Sequence, residues 1–224
     1  YGKILPEYVL SYPKYGCVNV HASLLPKYQG AAPINFVLIN GEKETGVTTM
    51  KMDAGIDTGA MLLKKSTPIL PSDDAGALHD RLAGLGADLL LETLDGLEKG
   101  EIVPEKQSGE SCYVSKIDDA VKKLDFSQTA ESIVNRIRGL SPFPTAFCFC
   151  GGKKMKVYKA EALDSREENN SAVPCGGLLS DKDLIVKAGT GAVRILSLAP
   201  EGKKRMSGQD FLRGIRDKQS LLFE

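Results

Sequence analysis

Asn19 and His21 stand two residues apart in the apolar run Cys17–His21, directly before Ala22-Ser23-Leu24-Leu25-Pro26 and a turn containing Gly30 and Pro33. Residues two apart on a strand share a face, so an amide and an imidazole project together where a core strand would carry Val or Ile. Asp57 is a third polar group of interest. It lies in Met52-Asp53-Ala54-Gly55-Ile56-Asp57-Thr58-Gly59, where the glycines let a loop bend sharply and approach a ligand closely. In an open α/β sheet, ligands bind beyond the strand ends, and there Asn19, His21 and Asp57 could converge. A carboxylate beside an imidazole favours the imidazolium and fixes its tautomer and orientation. An Asn amide can donate to an oxygen that gains negative charge. No G-x-S-x-G occurs, and neither Cys17 nor Ser23 has an identifiable base. An Asn, His and Asp set without a nucleophile suits direct acyl transfer between two bound substrates through a tetrahedral intermediate. The same residues also fit plainer roles: a satisfied core histidine, a turn-capping Asp57, and an Asp53 that competes for any acidic role.

The elements that would position these groups follow from pattern. Tyr1–Pro6 reads as a strand end meeting a loop, and Cys17–His21 as a strand. Gly30–Gly41 reads as a short helix with Pro33 in its first turn and Ile34, Val37 and Leu38 at helical spacing. Alternation makes Gly46–Met52 a strand with Thr48, Met50 and Met52 on one face, and Ala60–Lys65 another. A long helix capped at Ser72 or Asp73 carries Leu78, Leu82, Leu85, Leu89, Leu90, Leu94 and Leu97 as a core stripe and ends at Gly100. The stretch 101–119 is polar and reads as a linker between a unit at 1–100 and another at 120–224. A helix is expected over 128–139, broken by Ser141-Pro142-Phe143-Pro144. Short strands then alternate with turns over 146–150, 154–163, 176–180, 183–187 and 192–199, the mark of a small barrel or sandwich, and a last helix begins at a Ser207 cap. Phe143, Phe147 and Phe149 read as core rather than as a base-stacking platform.

The 224 residues suffice for one large or two small globular units, with an apolar fraction of 42%. No run is apolar enough to cross a bilayer, and Tyr1–Pro13 lacks the pattern of a signal peptide, so a cytoplasmic protein is expected. The cysteines Cys17, Cys112, Cys148, Cys150 and Cys175 are scattered, which fits reduced thiols better than a metal or redox site. Net charge is zero, but residues 1–110 carry 10 Lys+Arg against 15 Asp+Glu and residues 111–224 carry 19 against 14. The basic half is therefore the candidate for an anionic partner. Nothing suggests an exposed apolar interface, so a monomer is expected.

Asn19–Ile34, "NVHASLLPKYQGAAPI", followed by Glu44–Gly59, "ETGVTTMKMDAGIDTG", closely resembles the folate-dependent formyltransferases. "KYQGAAPIN", the tail "EGKKRMSGQDFLRG" and a second unit of this size resemble the branch of that family that acts on aminoacylated initiator tRNA. The resemblance implies a partial Rossmann-like, parallel-sheet catalytic domain followed by an OB-like β-barrel that helps to hold tRNA. It also implies that the family's catalytic domain starts roughly 85–90 residues before Tyr1, with its first βαβ units. Transfer would run from 10-formyltetrahydrofolate to the α-amine of methionine on initiator tRNA, without a metal. The likeness assigns catalysis to Asn19, protonated His21 and Asp57, and places Ser23, Leu24, Leu25 and Pro26 against the folate. Lys153 and Lys154, with Lys203, Lys204 and Arg205, would supply phosphate contacts. A nucleotide-sugar amine as acceptor, and a non-catalytic tRNA-binding fragment, are the alternatives.

Overall fold

A computed structural model describes residues 5–163, 172–218 and 220–224. The strand end expected at the first residues falls outside them up to Ile4. The chain forms two compact units: one of residues up to Val37, Glu42–Asp73 and Ala77–Lys116, the other of Leu38–Gly41, Asp74–Gly76 and Ile117–Glu224. The first unit thus runs through Lys116, and much of the stretch read as a linker is bound to it.

The first unit holds α1 (Glu7–Leu10), β1 (Val18–His21), β2 (Gln29–Gly30), most of α2 (Pro33–Ile39), β3 (Glu44–Lys51), β4 (Met61–Pro68), nearly all of α3 (Ala75–Lys99) and β5 (Tyr113–Val114). Its sheet has the order β1-β3-β4, and both pairings are antiparallel. The Rossmann-like class stands, but the described strands are not the parallel set expected. The chain returns from β3 to β4 through residues 52–60 with no intervening helix, and a connection that short makes neighbours antiparallel. The one parallel pairing between named strands is β2 with β5, which joins Gln29 to Tyr113 and Gly30 to Val114.

Helix α3 covers one face of this sheet. Leu78, Leu82 and Leu89 are buried, whereas Leu94 is 48% exposed, so the leucine stripe is core only in part. Gly86 lets helix and sheet approach: a Cβ there would lie 2.9 Å from Val20 Cγ1. Because Val20 faces the helix, Asn19 and His21 are set on the opposite face of β1. Asp73 lies two residues before the start of α3. Its carboxylate accepts from the Leu70 N–H and pairs with Arg81.

The second unit contains α4 (Asp119–Lys122), α5 (Ala130–Leu140), β6 (Ala146–Cys150), β7 (Lys153–Leu163), β8 (Ile185–Lys187), β9 (Ala192–Pro200), β10 (Met206–Ser207) and α6 (Gly208–Arg213). Thr129 and Ser207 cap α5 and α6 by accepting from the N–H groups of Ser132 and Asp210. The antiparallel sheet runs β10-β9-β7-β6 with β8 also on β9. Bridges Leu178↔Val186, Gly177↔Leu222 and Cys150↔Phe223 carry the pairing from β8 back to β6 through the last residues. That closes the sheet on itself as an OB-like barrel. Its core includes Ile133, Ile137, Leu140, Val157, Val186, Val193, Leu198 and Phe223. Phe147 is buried, but Phe143, between two prolines, is 82% exposed and corrects the expectation that it is core.

Candidate active site

The β1 strand ends at the site. Asn19 pairs with Met50 and His21 with Thr48 across to β3. The Asn19 amide makes no hydrogen bond among the described residues, and it lines a cavity of about 320 Å³ together with Gly30, Met50, Met52, Asp53, Asp57, Tyr113 and Lys116. An unpartnered amide at a cavity wall is free to donate to a ligand oxygen.

His21 is 5% exposed and is not part of that lining. Its Nε2 lies 2.9 Å from the Tyr28 carbonyl. A carbonyl only accepts, so Nε2 carries the hydrogen and Nδ1 is the nitrogen turned toward Asp57, 3.6 Å from Oδ2. The backbone of Tyr28, rather than Asp57 alone, therefore sets the ring orientation. Nothing in the sequence marked Tyr28 for this.

Asp57 lines the cavity and has φ of +55°, an αL backbone that an L residue holds at a cost of about 1 kcal/mol. Its Oδ2 accepts from the Gly30 N–H at 3.0 Å. Gly30 sits at φ +104°, and a Cβ there would strike the Val114 carbonyl and the Tyr113 ring, so only glycine delivers this N–H to the carboxylate. The competition between the two acids is resolved by their partners. Asp53 Oδ1 accepts from the Gly55 N–H at 3.0 Å and the Thr58 hydroxyl at 2.8 Å, an internal turn within the loop. Asp57 is the carboxylate beside His21.

The Ser23–Pro26 segment is tied down from beneath. Ser23 is buried, and its hydroxyl donates to the Lys27 carbonyl while its own carbonyl accepts from Thr48. The Leu25 N–H donates to Thr48 Oγ1, and the Leu25 carbonyl accepts from Lys64 Nζ at 2.6 Å. The Leu25 side chain is buried with Met50 and Met61. Leu24 and Pro26 are half-buried, so they are the residues of this segment with surface left to offer.

In the second unit, the Glu201 N–H donates to the Lys154 carbonyl, which sets the β6–β7 turn beside the turn after β9. Lys153 and Lys203 line a common cavity of about 450 Å³. Lys154 lies over the Phe147 ring at 3.7 Å. Arg205 donates to Ser197 Oγ and lies over Tyr158. Lys153, Lys203 and Lys204 are exposed, without an ion pair among the described residues. Burial pushes the Cys148 and Cys150 thiols up, which disfavours their thiolates, and no cluster among the described residues could hold a metal. No helix among them is long and apolar enough to cross a membrane.

The cavity lined by Asn19 and Asp57 at β1 lies in the fold of the folate-dependent formyltransferases. The formyl transferase family matches residues 1–94, and the formyl transferase C-terminal domain matches residues 116–216. A methionyl-tRNA formyltransferase of Caldanaerobacter subterraneus subsp. tengcongensis is 52% identical over 216 residues, which cover 96% of this chain and 69% of that protein. The chain belongs to the methionyl-tRNA formyltransferase family. Among solved structures, a methionyl-tRNA formyltransferase from Clostridium thermocellum matches with TM-score 0.56 and 22% identity, over 72% of this chain and 69% of that one. HypX from Aquifex aeolicus in complex with tetrahydrofolic acid matches with TM-score 0.66 and 18% identity, over 88% of this chain and 36% of that one. These two support the fold alone.

Proposed function

We propose that this chain carries out formyl transfer from 10-formyltetrahydrofolate to the α-amine of methionine on initiator tRNA, with Asn19, His21 and Asp57 as its chemical groups. The observation that carries the reading is the unpartnered Asn19 amide facing the same cavity as the Asp57 carboxylate, with His21 Nδ1 directly behind that carboxylate.

The amine lone pair attacks the formyl carbon, and the formyl oxygen gains charge. Asn19 donates to that oxygen, a contribution that typically reaches a hundredfold or more in rate. Asp57 takes the amine proton, directly or through one water, and returns a proton to the departing folate nitrogen as the carbon–nitrogen bond to the donor breaks. With Nε2–H committed to Tyr28, the other ring nitrogen of His21, Nδ1, faces Asp57 and acts on that carboxylate from behind. Leu24 and Pro26 provide an apolar wall for the folate above a loop that Thr48 and Lys64 hold in place. Lys153, Lys203 and Lys204 meet tRNA phosphates, with Lys154 and Arg205 placed alongside by their ring contacts. The same reading makes the protein a cytoplasmic monomer that uses no metal.

The test is a transfer assay with 10-formyltetrahydrofolate and initiator methionyl-tRNA, with the esterified amino acid read by mass after release. Formylmethionine is the expected product. Transfer to a nucleotide-linked amino sugar and none to methionyl-tRNA would overturn the reading.

A further inference from the structure

Gln107 lies in a stretch that is otherwise exposed from Val103 to Ser111, and nothing in its sequence context singles it out. The backbone brings it to the site. Met61 and Glu105 exchange N–H···O bonds of 2.8 Å in both directions, which clamps the segment beside the start of β4. Two residues later the Gln107 side chain turns inward. Its Nε2 donates to the Asp57 carbonyl at 2.7 Å and to the Gly59 carbonyl at 2.9 Å. Its Oε1 accepts from Gln29 Nε2 at 2.8 Å. Both amide hydrogens and the amide oxygen are thus used.

The partners explain what this arrangement does. Asp57 is an αL residue between glycines, in a loop whose other internal tie is the Asp53 turn. Left to itself, such a backbone relaxes toward φ below zero, which would swing the carboxylate. Gln107 fixes the Asp57 carbonyl, and the Gly30 N–H fixes Oδ2, so the residue is held at both ends. Gln29 links the two clamps, since it bonds Gln107 through its side chain and precedes Gly30 in β2.

We propose that Gln107 is a positioning residue for formyl transfer: its amide locks the left-handed backbone of Asp57 and so aims the carboxylate at the amine and at His21. The inference rests on the catalytic reading of Asp57 given above. A carboxylate displaced by about 1 Å can lose on the order of a hundredfold in rate, so a loosened Asp57 should lower turnover without touching either substrate site.

The experiment uses Gln107→Leu, which removes both donors, and Gln107→Glu, which turns a carboxylate oxygen toward the two carbonyls. Each is made in the wild-type and in the Asp57→Asn background, and initiator methionyl-tRNA formylation is followed by steady-state and single-turnover kinetics. The expected result is a kcat lowered about tenfold or more in Gln107→Leu and further in Gln107→Glu, KM for both substrates within about threefold, and a displaced pH–rate profile. In the Asp57→Asn background the same changes should have almost no further effect, because there is no longer a carboxylate to aim. Wild-type kcat in both Gln107 variants, with Asp57→Asn impaired, would overturn the positioning role alone. An equal fractional loss in both backgrounds would also overturn it, as a general structural effect. An Asp57→Asn enzyme of full activity would instead overturn the catalytic reading itself.

Discussion

Replacing Asn19 with alanine separates chemistry from folding. The side chain is half-buried and makes no hydrogen bond among the described residues, so its removal breaks no internal partnership. The expected stability change is below about 1 kcal/mol, which for a unit of this size moves Tm by a few degrees, on the order of 5 °C at most. The transition state loses a donor to the developing oxyanion, worth about 2.7–4 kcal/mol or a factor of roughly 10²–10³ in kcat. Asn19→Asp should be worse than alanine, since it sets a negative charge where negative charge develops. The assay is initiator methionyl-tRNA formylation at saturating 10-formyltetrahydrofolate, with denaturant midpoints measured on the same preparations. An Asn19→Ala enzyme within about threefold of wild-type kcat would refute the oxyanion role. A loss of activity matched by a comparable loss of stability would refute the claim that the side chain is structurally idle.

Three further outcomes follow from named interactions. Asp53→Asn keeps an acceptor for the Gly55 N–H and should retain activity within about threefold, while Asp57→Asn should lose about a hundredfold or more; equal effects in parallel kinetics would dissolve the distinction between the two acids. Iodoacetamide at pH 8 should label exposed Cys112 and Cys175 in the native protein and spare Cys148, because burial raises that thiol's pKa and depletes the reactive thiolate; peptide mapping that finds Cys148 alkylated as fast as Cys112 would contradict this. Lys203→Ala with Lys204→Ala should flatten the log–log dependence of tRNA affinity on salt by roughly one unit for each phosphate left without its lysine, measured by filter binding, and an unchanged slope would remove these lysines from the interface.

Much of the site was legible because it follows local rules. The period of two put Asn19 and His21 on one face, and the glycine-bounded loop marked Asp53 and Asp57 without choosing between them. Other features depend on pairings between distant residues. Alternation reports burial but not strand direction: the short connection over residues 52–60 was the sign that β3 and β4 are antiparallel, and the pairing of β1 with β3 had none. The role of Gln107 depends on a Met61–Glu105 bridge across more than forty positions, and a polar segment gives no periodic sign of where it docks. Leu94 keeps the helical step of its stripe yet is exposed, since spacing states which face a residue shares and not how far the covering sheet extends. The Tyr28 carbonyl is a backbone group, and its bond to His21 is invisible to any reading of residue type.

The most direct measurement of the central claim is a crystal structure of the enzyme with an intact formyl-bearing folate. The account predicts the formyl oxygen about 2.7–3.1 Å from the Asn19 amide nitrogen, with the Asp57 carboxylate facing the side from which an amine must approach. A formyl group bound on the Val20 face of β1, or one out of hydrogen-bonding range of Asn19 with Asp57 turned away, would contradict it.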